Sequence, residues 1–344
     1  MKVLVVGTGS IGKRHISNLV RFGVEVHAYS YRAAKNPLSV SHPEVRLVNN
    51  LGDALEADFD AVVIANRTDL HMEIALKAAQ ARKNFFIEKP ISVSLAGAEE
   101  LLMLVERNKL VVEAGFMLRC HPNLLWIKEY LANNSLGDLM HLRASVGQWL
   151  PDWRPQTDHR TGYSAFRKTG GGVIFDLIHE LDLVYWLAGK VVDVNAITRY
   201  VESLDIETEA IAQISLRLDS GALAQVHLDY VRPGYGRDLE IVGTQAVLYW
   251  NYLNGTVTIA KSDGSMDVVH YVPPEFERND MFENHMAHFL RRLSSPELAP
   301  TSPLVDSINV MRIALACHQS AEGRRCVRPD EIDSHFEPKQ RIRQ

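Results

Sequence analysis

The sequence predicts an α/β protein of two domains, a doubly wound parallel sheet followed by an α/β domain around a mainly antiparallel sheet. Three observations predict it. Over roughly the first 115 residues, short apolar runs alternate with amphipathic stretches. A glycine-rich turn, Gly7-Thr8-Gly9-Ser10-Ile11-Gly12, closes the first of those runs. Beyond about residue 118 the pattern changes to closely spaced alternating runs separated by turn signals. At about 150 residues per domain, a chain of 344 residues also has the length of two.

The elements follow in order. Runs at 3–6, 24–29, 45–48, 61–65, 84–87 and 110–114 read as strands, and the segments 11–20, 71–81 and 95–105 carry apolar residues at helical spacing between them. Strands apolar throughout need cover on both faces, which a parallel sheet with crossover helices provides. A helix at 123–132 and a strand around 141–146 come next, then a Trp/Pro/Arg-rich loop over 148–169 and a helix over 173–187. Strands are expected at 193–200, 210–218, 222–230, 238–242, 246–250, 256–260 and 267–271. The turns Asp219-Ser220-Gly221, Asn254-Gly255 and Asp263-Gly264 favour hairpins, hence antiparallel pairing. Helices at 281–293 and 304–321 close the pattern, and the charged tail from Arg328 is expected to be poorly ordered.

Composition excludes several classes of function. With 37 Lys and Arg against 42 Asp and Glu the net charge is −5, which lacks the basic excess of a nucleic-acid binder. A 46% hydrophobic, 23% charged chain is not of the disordered class. Cys120, Cys317 and Cys326 are too few and too scattered for a disulfide framework or a zinc site, and no apolar run reaches membrane-spanning length. The expectation is a soluble, reduced, cytoplasmic protein without a metal.

The turn at Gly7 follows a strand and opens a helix, the context in which a G-x-G-x-x-G pattern points to a dinucleotide. Gly7 permits the tight turn, Gly9 lets the backbone approach a pyrophosphate, and Gly12 lets helix and strand pack closely. The helix N-terminus offers its N–H groups to phosphate. Where an NAD-specific domain carries Asp or Glu at the end of the second strand, this chain reads Ala28-Tyr29-Ser30-Tyr31-Arg32. Ser30 could bond a 2′-phosphate and Arg32 pair with it, so NADP is favoured, with NAD possible. Glu88-Lys89-Pro90 puts a lysine at the C-terminal end of a parallel strand, where such sheets bind ligands. Farther on, Gly170-Gly171-Gly172 enter a helix on which Asp176 and His179 share a face, among apolar residues that would perturb their titration. The loop before it holds Trp153, Arg154, Arg160, Tyr163 and Arg167, a cationic and aromatic set suited to an anionic sugar. Arg119 and His121, at the domain junction, are candidates for the same pocket.

The glycine fingerprint continuing to His15, the Glu88-Lys89-Pro90 motif and the glycine-led Asp/His helix, in that order, resemble the Gfo/Idh/MocA oxidoreductases. The resemblance runs over nearly the whole chain. It implies a Rossmann domain over 1–118 and a C-terminal α/β domain over 119–344. The open, mainly antiparallel sheet of the second would carry dimer or tetramer contacts and the substrate. It implies hydride transfer between a nicotinamide and a carbinol carbon of a sugar, with Lys89, Asp176 and His179 as the catalytic set. The cofactor residues would be Gly7, Gly9, Ser10, Ile11, Gly12, Ser30, Arg32, Asn66, His71 and Glu88. Family members commonly separate the Asp and His by four positions; here the separation is three and Glu180 follows, so His179 and Glu180 are alternatives for the group facing the substrate. The His-Glu-Leu-Asp continuation resembles a branch associated with surface-polysaccharide sugars, anionic or nucleotide-linked. The alternatives are a lyase or glycosidase of the same family that recycles its NAD, or a sensor that binds NADP(H) without turnover.

Overall fold

Strands whose residues are apolar in unbroken succession have no solvent face, and the computed structural model, which describes residues 1–31 and 42–339, buries residues 3–6, 61–64 and 85–87 on both sides, while the run at 46–48 lies at the sheet edge and is largely exposed. Lys2–Val6 (β1), Glu25–Tyr29 (β2), Arg46–Val48 (β3), Ala61–Ile64 (β4), Asn84–Ile87 (β5) and Val112–Ala114 (β6) form one sheet, paired in parallel in the order β3-β2-β1-β4-β5-β6. The helices Ser10–Arg21 and His71–Gln80 pack on it, and Ile16 and Leu19 join Val3, Val5, Val26 and Val63 in one core. The strand order reverses between β1 and β4, and it is outside the C-terminal strand ends at such a point that open α/β sheets bind ligands. The helix Ala98–Asn108 starts three residues later than expected, because Gly97 before it holds φ at +81°.

This unit is not one stretch of chain: Met1–Cys120 is completed by Glu277–Ile308. The helix Arg278–Ser294 sends Met286 and Phe289 into the same core. A buried carboxylate fastens it. Glu113 of β6 accepts hydrogen bonds from Arg292 Nη1 (3.0 Å) and from the backbone N–H groups of Thr301 (3.1 Å) and Ser302 (2.9 Å).

The second unit comprises His121–Phe276 and Asn309–Gln344. Its strands are Leu139–Gly147 (β7), Val191–Arg199 (β8), Ile211–Leu218 (β9), Leu223–Asp229 (β10), Gly236–Gly243 (β11), Ala246–Asn251 (β12), Thr256–Lys261 (β13) and Met266–Tyr271 (β14). They form an eight-stranded sheet in the order β14-β13-β12-β11-β7-β10-β9-β8, antiparallel except for the parallel pair β7–β10. Burial alternates along β9: Ala212, Ile214, Leu216 and Leu218 are buried, Gln213, Ser215 and Arg217 exposed. One face is therefore covered, in part by the helix His179–Ala188 against β7 and β10, and the other is open. On the open face a hollow of about 490 Å³ is lined by Arg143, Gln213, Gln225, His227 and Arg232.

Two expectations change here. The helix expected over 173–187 is two, Val173–Asp176 and His179–Ala188, because Leu177 (φ −100°, ψ 28°) leaves the helical region. The tail expected to be loose is docked as far as it is described: Val327 bridges Val194, and Ile332 is buried. Among the described residues no helix is long and apolar enough to cross a membrane.

Candidate active site

The site residues of the first unit gather at the C-terminal ends of β1, β4 and β5. Gly7 has φ +110°, and a Cβ there would fall 2.5 Å from the Ala65 carbonyl oxygen and the Asn66 nitrogen. At Gly12 a Cβ would fall 1.9 Å from the Gly7 oxygen. Packing alone accounts for these two. It does not account for Gly9, whose Cβ would meet nothing within 4 Å. Gly9 is the N-cap of the helix Ser10–Arg21 and both Gly9 and Ser10 are exposed, so main-chain N–H groups face an open cradle there. Ile11 is partly buried against the core. Ser30, at the end of β2, receives a hydrogen bond from the Thr8 hydroxyl (2.9 Å), which puts it beside the glycine turn. Arg32 lies outside the described residues.

Asn66 follows β4, and both its side-chain amide atoms are buried without a hydrogen-bond partner. Unmade hydrogen bonds of this kind are rare inside proteins, and a bound water, ion or ligand would satisfy them. An open cradle at Gly9 and an orphaned amide at Asn66 fit a dinucleotide laid across the strand ends.

His71 and Glu88 differ from their expected role at a cofactor. His71 is 1% exposed, with Nδ1 2.8 Å from the Pro90 carbonyl oxygen and Nε2 3.1 Å from that of Asn66, so both ring nitrogens face the protein's own backbone. Glu88 is buried, with Oε1 2.7 Å from His15 Nε2 and Oε2 accepting the Lys89 N–H at 3.2 Å. Burial pushes its carboxyl up, but the hydrogen bond and charge of His15, with Lys89, outweigh burial and hold it below the usual carboxylate range. Lys89 itself is partly exposed at the end of β5.

In the second unit Asp176 ends its short helix with both carboxylate oxygens engaged. The hydroxyl of Tyr163 donates to Oδ1, and that of Tyr230 to Oδ2 at 2.5 Å. Burial and the adjacent Asp176 raise the Tyr230 phenol well above its ordinary value, so it keeps its proton and stays a donor. His179 opens the next helix and is buried. Glu180 is spoken for, since Arg237 Nε donates to it at 2.7 Å in a pair exposed by 7% and 1%. That removes the alternative in which Glu180 faces a substrate.

The glycine triplet is a packing feature. A Cβ at Gly171 would fall 2.4 Å from the Ser164 oxygen, and one at Gly172 2.4 Å from Glu209 Oε1. Buried Glu209 accepts from Arg167 and from the Ile174 N–H (3.2 Å), anchoring the helix that carries Asp176.

The cationic residues expected to meet an anionic substrate are mostly committed elsewhere. Arg167 is buried between Glu209 and His318. Arg160 is paired with Asp158 (2.8 Å). Arg119 is 1% exposed, and its Nη1 donates to Asp306 at 2.8 Å. His121 caps the helix Pro122–Ala132, its Nδ1 accepting the Asn123 N–H, and burial pushes it down to about 3, a neutral structural ring. Trp153 sits edge-on to Tyr230 at 5.3 Å, with its indole N–H buried and unpartnered beside a cavity of about 20 Å³, room for about one water.

Sequence reasoning missed Tyr230, Glu209 and Arg237. Each acts through a partner distant in sequence, and nothing in the local pattern around them signals it.

Two family models match this chain, "Oxidoreductase family, NAD-binding Rossmann fold" over residues 1–116 and "GFO/IDH/MocA C-terminal domain" over residues 124–249. Among curated relatives, an "Uncharacterized oxidoreductase YrbE" of Bacillus subtilis is 28% identical over 92% of this chain and 93% of that one. A "Myo-inositol 2-dehydrogenase" of Thermotoga maritima is 24% identical over 96% and 99%. Among solved structures, a levoglucosan dehydrogenase in complex with NADH superposes with a TM-score of 0.85 over 96% of this chain and 100% of that one, at 18% identity, a likeness of fold.

Proposed function

The chain belongs to the GFO/IDH/MocA oxidoreductase family, and from that premise we propose that it is a nicotinamide-dependent dehydrogenase acting on a secondary hydroxyl of a sugar or cyclic polyol. The observation that carries this reading is the convergence of the Gly9 cradle, the orphaned Asn66 amide and Lys89 at three adjacent strand ends. A sensor would need the first two and not the lysine. The names of its relatives, among them inositol 2-dehydrogenases, support a polyol.

Gly9, Ser10, Ile11 and Gly12 would hold the pyrophosphate at the helix N-terminus, and Asn66 the nicotinamide end. The bound nicotinamide supplies the hydride acceptor or donor. Lys89 handles the hydroxyl proton, as acceptor in oxidation and donor in reduction. In the second unit His179 contacts the substrate. Asp176 orients the Tyr163 hydroxyl, and the buried Trp153 indole N–H has room for a single bridging water. We read the first unit as the cofactor domain and the second as the domain for substrate and self-association.

The preference within the cofactor class is NADP, because no carboxylate occupies Ala28–Tyr31 and Ser30 lies beside the glycine turn. With Arg119, Arg160 and Arg167 paired, an anionic or nucleotide-linked sugar would depend on exposed Arg154, whose guanidinium lies 5.6 Å from the Tyr163 ring centre; we favour an uncharged substrate. Copies of the chain associate through the open face of the second sheet. Unpaired thiols at all three cysteines suit a reducing compartment, and we assign the cytoplasm.

The test is a titration of nucleotide-stripped protein with NADPH and NADH, then turnover of a panel of cyclic polyols, neutral sugars and uronates. Net reduction of added nucleotide by a neutral polyol is the expected result. Tighter NADH binding overturns the NADP preference alone, and binding without turnover of any member moves the protein to the sensor reading. Tightly retained nucleotide with product but no net reduction identifies a recycling lyase or glycosidase.

A further inference from the structure

Lys89 stands between two residues that are each held by a buried histidine. Before it, Glu88 lies 2.7 Å from His15 Nε2 on the helix that the glycine turn opens. The Glu88 carboxylate has a fitted slot: a Cβ at Gly115 would come within 2.7 Å of its Oε2. The His15 ring is itself fixed, edge-on to Phe86 at 5.2 Å and to Phe282 at 6.3 Å. After Lys89, the Pro90 carbonyl lies 2.8 Å from His71 Nδ1. Burial holds the His71 imidazole below its ordinary range, so the ring carries one N–H at neutral pH. We assign the N–H to Nδ1 because its contact, to Pro90, is the shorter; the other nitrogen rests 3.1 Å from the carbonyl of Asn66, on the turn after β4.

We propose that His15 and His71 are positioning residues for Lys89, clamping the main chain on both sides of it so that a long, flexible side chain leaves the end of β5 from a fixed root. Neither histidine has a polar atom directed at solvent, both being 1% exposed, so the effect is through Lys89. Displacing a reacting group by about 1 Å costs on the order of 100-fold in rate, which is the scale at which such a clamp acts. The inference rests on the reading of Lys89 as the group that handles the proton.

The decisive pair is His71→Phe, which keeps a ring and loses both nitrogens, and His71→Asn, whose amide nitrogen is bonded to Cγ as Nδ1 is and keeps an N–H donor for Pro90. Folding is checked by thermal melts and nucleotide affinity by NADPH titration. His71→Phe is expected to lower kcat by roughly 10- to 100-fold, with the polyol KM and the nucleotide Kd within about threefold of the parent; His71→Asn recovers most of the loss. If His71→Phe does not fold, His71→Leu, which keeps an apolar side chain and has no donor, replaces it. His15→Gln, which keeps a donor for Glu88, is expected to match the parent more closely than His15→Ala. A second readout needs neither cofactor nor turnover: the rate at which acetic anhydride acetylates Lys89 in nucleotide-free protein, read by peptide mass spectrometry. It should rise several-fold in His71→Phe and return in His71→Asn. Parental kcat and acetylation in His71→Phe, or a folded His71→Asn no better than His71→Phe, overturns the clamp. A parent that turns over no polyol refutes the dehydrogenase reading instead, and the acetylation rates still decide the clamp.

Discussion

At the scale of single residues, what separates a functional group from a structural one is whether its polar atoms are already used. Asn66 keeps both amide atoms unpartnered inside the protein, whereas both terminal nitrogens of Arg167 and Nδ1 of His121 are engaged. Lys89→Ala removes the amine proposed to handle the hydroxyl proton. It should lower kcat by about 10²- to 10⁴-fold, the usual worth of a general acid or base, while leaving the NADPH Kd within about twofold. Near-parental turnover would take Lys89 out of the chemistry. The three cysteines give a sharper case. Burial pushes the Cys120 thiol up to about 12 and the Cys317 thiol higher still, and thiols that do not ionise do not react. Exposed Cys326 alone should be labelled by a thiol reagent in the native protein, with the other two reacting only after unfolding. Fast labelling of two or more native thiols contradicts that burial.

At the scale of elements, buried carboxylates tie distant segments together, and each is a liability in acid. Glu88 and Glu113 are both held below their ordinary value near 4.5 in the folded chain, against the upward push of burial. The unfolded chain therefore takes up protons first as pH falls. The stability these groups give is whole above about pH 4.5 and is lost as pH drops through their folded values. Glu113→Ala leaves Arg292 buried without its partner and should cost about 3–5 kcal/mol at pH 7, seen as a lower Tm. The gap to the parent should narrow steadily below about pH 4.5; a constant gap down to pH ~3 would mean that Glu113 is not ionised in the folded state. Such ties mark the boundary of what the sequence discloses. The strand runs, the glycine turn and the lysine at the end of β5 are legible because each is a local pattern with a local cause. The return of Glu277–Ile308 to the first unit is not, since it is fixed by Glu113, Met286 and Phe289 meeting residues far away in the chain. The cluster over 153–167 was misleading for the same reason: arginines close together in sequence look like a ligand site until Asp158 and Glu209 are seen beside them.

At the scale of the whole molecule, the open face of the second sheet is the surface whose role the chain alone leaves unexplained. Its outward residues are mostly polar, Gln213, Ser215, Gln225 and His227 among them, yet Ile197 is 73% exposed on β8 and Leu223 54% exposed on β10. Sheet interiors tolerate such polar faces in water, so the two apolar side chains and the hollow between the arginines are what point to a second copy. Burial of one Leu or Ile side chain is worth about 1.5–3 kcal/mol. In a two-fold contact each substitution appears twice, so a modest local change is doubled. Ile197→Arg with Leu223→Arg should therefore shift the protein to a smaller assembly in sedimentation velocity at micromolar concentration. NADPH affinity should hold, because the cradle at Gly9 belongs to the first unit. If the doubly substituted protein sediments as the parent does, the open face is not where the copies meet. If the parent already sediments as a monomer, there is no contact for the face to make, and its exposed Ile197 and Leu223 are ordinary isolated surface residues.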